Sequence, residues 1–427
     1  MLIGIDASRA NINRKTGTEW YSYYLIRWLA KLDKKNKYIL YTDKPLKCGL
    51  LDLISKQYFD NSDEKNKDIE IDKNGYQKIK SPYNNFKVKI LKWPFNYFWT
   101  QGRMSLEMLI HPPDILFVPS HTLPIVHPKK SIVTIHDIGY EKNCKIYNKH
   151  EIIRNSSFKK RIIDFIVLLF TFAKYRANEV DYLQWSTKYA IKKAYKIITI
   201  SNFSKKEIVK FYKLNNNKIE VIYNGYNKFL YKKINDQEKI NNILNKYGIE
   251  KPYLFYIGRI EKKKNISVLI EAFAILKEKN KNLNHKLVLA GMASYGYDEI
   301  KYMIREFDLI DYVIMPGWID ECDIPYLYNG AFAFIFPSNY EGFGIPTLQA
   351  MACGVPILAS NTSSIPEIVG DSALLFDQRY ALSISDAIEK IILDLKLREN
   401  LIKKGFERVK NFSWEKCTKE TLKELIS

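Results

Sequence analysis

Three short stretches of this chain carry residue types that handle an anion. In Glu341-Gly342-Phe343-Gly344, two glycines remove Cβ where backbone must bend sharply or come close to a ligand. The apolar run Ala331 to Phe336 precedes it, and Pro346, Leu348, Met351 and Ala352 keep helical spacing after it. A helix that starts at a strand's carboxyl end offers unpaired N–H groups and the positive end of a dipole, which suits a phosphate or diphosphate. Arg259 and Lys264, in the run Gly258 to Asn265, add a fork and a point charge for the same oxygens. A solvated basic loop and an ordinary strand-turn-helix are the plainer alternatives. Glu341 argues for more than an anion site, since a carboxylate there repels phosphate and is better explained as an acceptor for sugar hydroxyls; it also suits a helix start on dipole grounds alone. His136 and Asp137 end the apolar run Ser131 to Gly139, at the strand end where α/β sheets place ligands.

Taken together, these residues resemble the donor-site signature of the retaining glycosyltransferases of family 4. The family motif is a Glu, seven residues, then a second Glu; here Glu341 fills the first position and Gln349 the second. The family's second Glu binds the nucleotide's ribose, and a Gln amide can still accept and donate there.

The resemblance implies a GT-B fold: α/β, two Rossmann-like domains whose parallel sheets face an interdomain cleft. It implies transfer of a sugar from a nucleotide-diphosphate sugar to a hydroxyl of a saccharide or lipid-linked acceptor, with retention of configuration, in surface polysaccharide or glycolipid synthesis. Residue by residue, His136, Glu341, Arg259 and Lys264 take the catalytic positions, with His136 contacting the donor sugar. Donor binding falls to Gly17, Arg259, Lys264, Gly317, Glu341, Gly342, Phe343, Gly344, Ile345 and Gln349. Trp318 borders the base, Thr18 approaches the cleft beside Gly17, and Trp99, Gln101 and Arg103 match the family's aromatic segment. No cofactor and no metal are implied. A catalytically idle nucleotide-sugar-binding or scaffold subunit is the alternative, supported only by Gln349. A glycoside hydrolase would need two acids about 5 to 10 Å apart, and Glu341 is the one candidate found.

The composition fits a globular two-domain enzyme: 427 residues, 46% hydrophobic and 14% aromatic. Net charge is +20, a field that attracts polyanions or an anionic membrane, yet no helix-turn-helix, zinc-finger or RNA-recognition signature accompanies it, so nucleic acid is not an expected partner. Cys48, Cys144, Cys322, Cys353 and Cys417 are scattered, without the paired spacing of a zinc or disulfide framework. The start MLIGIDASRA has no secretory pattern, so a cytoplasmic protein is expected. Residues 158–176 place an apolar run among Lys159, Lys160, Arg161, Lys174 and Arg176; at fewer than about 20 apolar residues it is too short to span a bilayer. It is either a packed helix or one lying in the membrane interface, on the inner face.

These residues need a sheet to position them. Expected strands are Leu2 to Asp6, Tyr38 to Thr42, Asp114 to Pro119, Ser131 to Gly139, Tyr195 to Ser201, Ile219 to Gly225, Tyr253 to Ile257, His285 to Ala290, Tyr312 to Met315, Ala331 to Phe336 and Val355 to Ala359, each a short apolar run of the kind buried on both faces. Ser55 to Lys80 reads as a loop with one short strand. Helices are expected from about Trp20 to Leu29, Ile266 to Lys277, Leu382 to Val409 and Phe412 to Ile426. The division is residues 1–228 as acceptor domain, 229–250 as linker and 251–411 as donor domain, with the last helix, 412–427, crossing back to the first domain.

Overall fold

The computed structural model describes residues 1–46, 49–50, 53, 71–77, 84–94, 98–142 and 178–427, apart from the side chain of Glu179. Residues 158–176, Cys48, Cys144 and much of the stretch 55–80 lie outside them. The chain divides into two compact units, one built from residues up to Tyr223 together with Trp414–Ser427, the other from Asn224–Ser413.

The first unit holds β1 (Leu2–Asp6), β2 (Lys37–Thr42), β3 (Tyr76–Gln77), β4 (Phe86–Ile90), β5 (Ile115–Val118), β6 (Ser131–Thr134), β7 (Lys196–Thr199) and β8 (Ile219–Val221). They form one sheet in the order β3-β4-β2-β1-β5-β6-β7-β8, parallel except where β3 meets β4. Helices cover it, so the central strands are buried along almost their whole length. The helix Gly17–Leu32 is fixed at its start by a capping box, with the Thr16 amide and hydroxyl both donating to Glu19. The last helix, Trp414–Ile426, packs against it: Trp414 stacks on Tyr24 at 5.1 Å.

Two differences from the sequence reading have physical causes. β4 is a strand that the apolar-run criterion passes over, because FKVKI carries lysine at alternate positions; Lys87 faces solvent, whereas Lys89 is buried in an ion pair with Glu107. β6 stops at Thr134 and not at Gly139, since the Asp137 carboxylate accepts from the Gly139 amide at 2.9 Å and turns the chain into the short helix Gly139–Lys142.

The second unit holds β9 (Tyr253–Ile257), β10 (Lys286–Ala290), β11 (Val313–Gly317), β12 (Ala333–Phe336), β13 (Ile357–Ser360) and β14 (Ala373–Phe376). Their order is β11-β10-β9-β12-β13-β14, all parallel. Chain order therefore reverses between β9 and β12. In doubly wound sheets the loops on either side of such a reversal diverge and leave a crevice at the carboxyl ends. Arg259 and Lys264 follow β9; Glu341 follows β12. Leu254, Ile266, Leu269, Phe273, Leu289 and Ile335 pack the core beneath them.

Candidate active site

The three loops that leave β9, β10 and β11 are stitched together by backbone. Gly258 donates to Ala290 O at 3.0 Å, Ile260 to Met292 O at 2.9 Å and Gly291 to Gly317 O at 2.8 Å. This contact requires glycine. At Gly291, with φ +137°, a Cβ would lie 1.8 Å from Gly258 O. Gly317 has φ +77° with open space around its Cβ position, and Trp318 beside it is partly exposed. Arg259 O accepts from the buried Tyr256 hydroxyl at 2.9 Å, which fixes the loop backbone, and the Arg259 side chain is exposed. Burial, and after it the nearby Glu341 and Glu261 carboxylates, hold the Tyr256 phenol in its neutral form.

Lys264 ends a single turn of 3₁₀ helix, Lys262–Lys264, and Asn265 follows in the left-handed conformation, its side-chain Nδ2 donating to Gln378 O at 2.8 Å. Across the switch point Lys264 Nζ meets Glu341 Oε1 at 2.5 Å, with only 18% and 12% of the two side chains exposed. Two serines hold Glu341 in place: its amide donates to Ser363 Oγ at 3.1 Å and its carbonyl accepts from Ser364 Oγ at 2.9 Å. Asn339 N donates to Lys263 O at 3.1 Å, so the β9 and β12 loops also join through backbone. Glu341 Oε2 is taken by no described residue.

The helix Ile345–Cys353 starts from Gly344 at φ +97°. Thr347 turns both its amide and its hydroxyl to Gly344 O, at 2.9 and 2.8 Å, and the Gly344 and Ile345 N–H groups have no hydrogen-bond partner among the described residues. Phe343 points inward, its ring edge-on to Phe412 at 5.9 Å, so only its backbone can reach a ligand. Gln349 is half-buried, and its amide lies 3.4 Å from the Tyr328 hydroxyl, which also donates to Pro346 O at 3.2 Å.

His136 and Gly17 belong to the first unit. His136 is 6% exposed, at the end of β6, with Nε2 3.2 Å from Pro119 O. A carbonyl only accepts, so Nε2 carries the proton. Burial lowers the ring's pKa and outweighs the Pro119 carbonyl and the Asp137 charge, which act the other way. Tyr21 packs edge-on to the ring at 4.8 Å and His121 lies 5.7 Å away. Gly17 opens its helix with no atom within 4 Å of a Cβ.

The structure thus gathers Arg259, Lys264, Gly317, Glu341, Gly344, Ile345 and Gln349 on the carboxyl ends of one sheet, and places His136 and Gly17 on the carboxyl-end loops of the other. Sequence reasoning missed Ser363, Ser364 and Tyr328. The Ser-Ser pair stands near enough to Glu341 in the chain to be suspected of capping; nothing in the sequence ties Tyr328 to Gln349. Among the described residues no group of three or more His, Cys, Asp or Glu is arranged to hold a metal ion, and no helix is long and apolar enough to cross a membrane.

Known proteins are similar to this chain in sequence and in fold. A profile described as "Glycosyl transferases group 1" matches residues 236–408, and one described as "Glycosyltransferase Family 4" matches residues 60–228. The chain is 31% identical over 258 residues to the O-antigen chain mannosyltransferase B of Escherichia coli, covering 60% of this chain and 67% of that protein. It is 29% identical over 309 residues to the O-antigen chain mannosyltransferase RfbU of Salmonella typhimurium, covering 71% and 72%. In fold it is similar to the sucrose-phosphate synthase of Thermosynechococcus elongatus, with TM-score 0.68 and 18% identity over 99% of this chain and 97% of that one. Two parallel sheets flanked by helices, the donor-site motif and these relatives lead to one conclusion: the chain is a glycosyltransferase of the GT-B fold and belongs to glycosyltransferase family 4.

Proposed function

We propose that the enzyme transfers a sugar, with retention of configuration, from a nucleotide-diphosphate sugar to a hydroxyl of a saccharide or lipid-linked acceptor during surface polysaccharide assembly. The observation that carries this reading is the Lys264–Glu341 pair at the switch point, beside Arg259 and the open N–H groups of Gly344 and Ile345. Cleavage of the donor builds negative charge on the departing diphosphate. Arg259, Lys264 and the helix start would meet that charge, an effect worth several kcal/mol in a preorganised site. These groups supply positive charge without a metal ion. Glu341 Oε2 remains to accept from a sugar hydroxyl, while Gln349 stands where the nucleotide's ribose is expected. His136, neutral at physiological pH, suits a hydrogen bond to the transferred sugar better than a charge. In the family-level account of retention, a leaving-phosphate oxygen helps take the acceptor proton, and no carboxylate base is needed.

The names of the two relatives direct the first choice of substrate to mannose donors and polysaccharide acceptors. A lipid-linked acceptor would bring the enzyme to the inner face of the membrane, where residues 158–176 would make a peripheral contact. The test is a thermal-shift screen over uridine, guanosine and adenosine diphosphate sugars, followed by turnover with the donor that binds. A donor at 100 times its Kd stabilises the fold by about 2.7 kcal/mol. No shift with any nucleotide sugar would sink the donor reading, and a shift without turnover on any acceptor would favour an idle binding subunit.

A further inference from the structure

The first unit turns an apolar patch to solvent where none is required by the fold. Met104, just before the short helix Ser105–Ile110, and Met108 within it face the core, yet Leu106, Leu109 and Ile110 are 48%, 66% and 57% exposed. Leu109 and Ile110, three and four positions along the helix from Leu106, share its outer side. Ile125 and Val126, 52% and 37% exposed, adjoin them, because both of their amides donate to the Ser105 hydroxyl, at 3.0 and 3.4 Å. Tyr189 donates to Ile125 O at 2.7 Å and stacks on Trp185, which extends the patch with two partly exposed aromatic rings on the helix Glu179–Lys193. Around it stand the exposed lysines Lys129, Lys130, Lys188, Lys192 and Lys193. Across residues 105–130 and 185–193 the only exposed carboxylate is Asp114.

We propose that this patch is a docking surface for an anionic lipid bilayer. Aliphatic side chains enter the interface, Trp and Tyr suit the headgroup level, and the lysine rim meets anionic headgroups. A second copy of the chain fits poorly: a two-fold interface would lay the lysine rim on itself, and the net charge of +20 adds to the repulsion. A nucleic acid would satisfy the lysines and leave the five aliphatic side chains in water. The surface is distinct from the donor site, and its readout is lipid binding, so it stands or falls separately from the transfer reading.

The experiment is co-sedimentation of the full chain with vesicles of phosphatidylcholine and phosphatidylglycerol at 60:40, and with phosphatidylcholine alone. Wild type should prefer the mixed vesicles, and Leu109→Glu with Ile110→Glu should lower its partition coefficient roughly tenfold or more. Lys188→Glu with Lys192→Glu should weaken binding to mixed vesicles by a similar factor and leave binding to neutral vesicles unchanged. Ile125→Ser with Val126→Ser, on the other segment of the patch, should weaken binding too, and serves where the helix variant fails to fold by circular dichroism. Wild type that stays in the supernatant, or patch variants that sediment like wild type, would overturn the proposal. A concentration-dependent dimer that Leu109→Glu with Ile110→Glu dissociates would overturn it in favour of a second copy.

Discussion

Removing the Lys264 ammonium should cost both stability and transfer, in amounts that separate its two duties. Its partner Glu341 has a side chain only 12% exposed, and Ser363 and Ser364 hold its backbone, so the loop cannot carry the carboxylate out to water. Breaking a fully buried pair from one side costs about 3 to 5 kcal/mol, most of it the stranded charge; the residual exposure here brings that to about 2 to 3 kcal/mol. For a unit of this size that is a fall of roughly 5 to 10 °C in Tm. Lys264→Met keeps the aliphatic volume and isolates the charge. Glu341→Gln alone strands the ammonium, though the more exposed lysine is less affected. In the double variant neither charge is left over, so its Tm should lie above the sum of the two losses by about 1 to 2 kcal/mol of coupling. Transfer responds differently. Loss of a charge that stabilises the departing diphosphate should reduce turnover by about 10² to 10³ in both Lys264→Met and the double variant. Thermal denaturation of the four proteins gives the cycle, and donor consumption gives the rates. Additive Tm values would refute the stranded-charge account, and normal turnover in Lys264→Met would refute the diphosphate assignment.

Three further outcomes follow from the geometry. Gly291→Ala forces a Cβ onto Gly258 O at a positive φ, and overlap of backbone with backbone should cost about 3 kcal/mol; Gly317→Ala, with open space at its Cβ position, should cost about 1 kcal/mol, and equal Tm losses would refute the close-approach account. Burial lowers the His136 pKa, so between its folded value and the ordinary 6.5 the unfolded chain binds the extra proton, and stability is intact above pH 6.5 and lost as pH falls below it. Comparing the Tm drop from about pH 7.5 to 5.5 in wild type and His136→Gln isolates this group from Asp6, whose pKa burial raises and which acts in the opposite sense; identical drops would refute it. Gln349→Glu should lower the donor's KM about fivefold, since a hydrogen bond to a charged acceptor is stronger by about 1 kcal/mol. An unchanged KM would place the ribose elsewhere.

The framework was legible in the sequence because parallel strands buried on both faces read as short apolar runs, and eleven such runs cover most of both sheets. β4 and β14 escaped. FKVKI is an amphipathic strand beside the two-residue β3, and its buried Lys89 depends on Glu107, which belongs to a distant helix. Ala373–Phe376 in β14 follows a turn marked by Gly370, Asp371 and Ser372, but at four residues the run is too short for periodicity to tell a strand from a helix segment. In the site, motif residues were visible while their supports were not. Glu341 and Lys264 are 77 positions apart, and no local pattern states that they touch. Sheet order decides it: β9 and β12 become neighbours only once β10 and β11 have been laid on the far side.

That pairing also resolves the oddity of a carboxylate beside an anion site. Left unpaired, Glu341 would repel the ligand; joined to Lys264, it holds the ammonium where a diphosphate can claim a share and lowers the cost of keeping that cation partly buried. Gln349 continues the same economy of charge. The Tyr328 hydroxyl has one proton, and Pro346 O at 3.2 Å lies nearer to it than the amide at 3.4 Å. With that proton directed to the carbonyl, Gln349 Oε1 keeps lone pairs to spare as an acceptor of the kind a glutamate would provide. A carboxylate at 349 would hold the ribose more tightly but draw on the same positive charge as the diphosphate departs. The neutral amide keeps the acceptor and adds no further negative charge to that of Glu341 and Glu261, so the positive charge of Arg259 and Lys264 is available to the diphosphate.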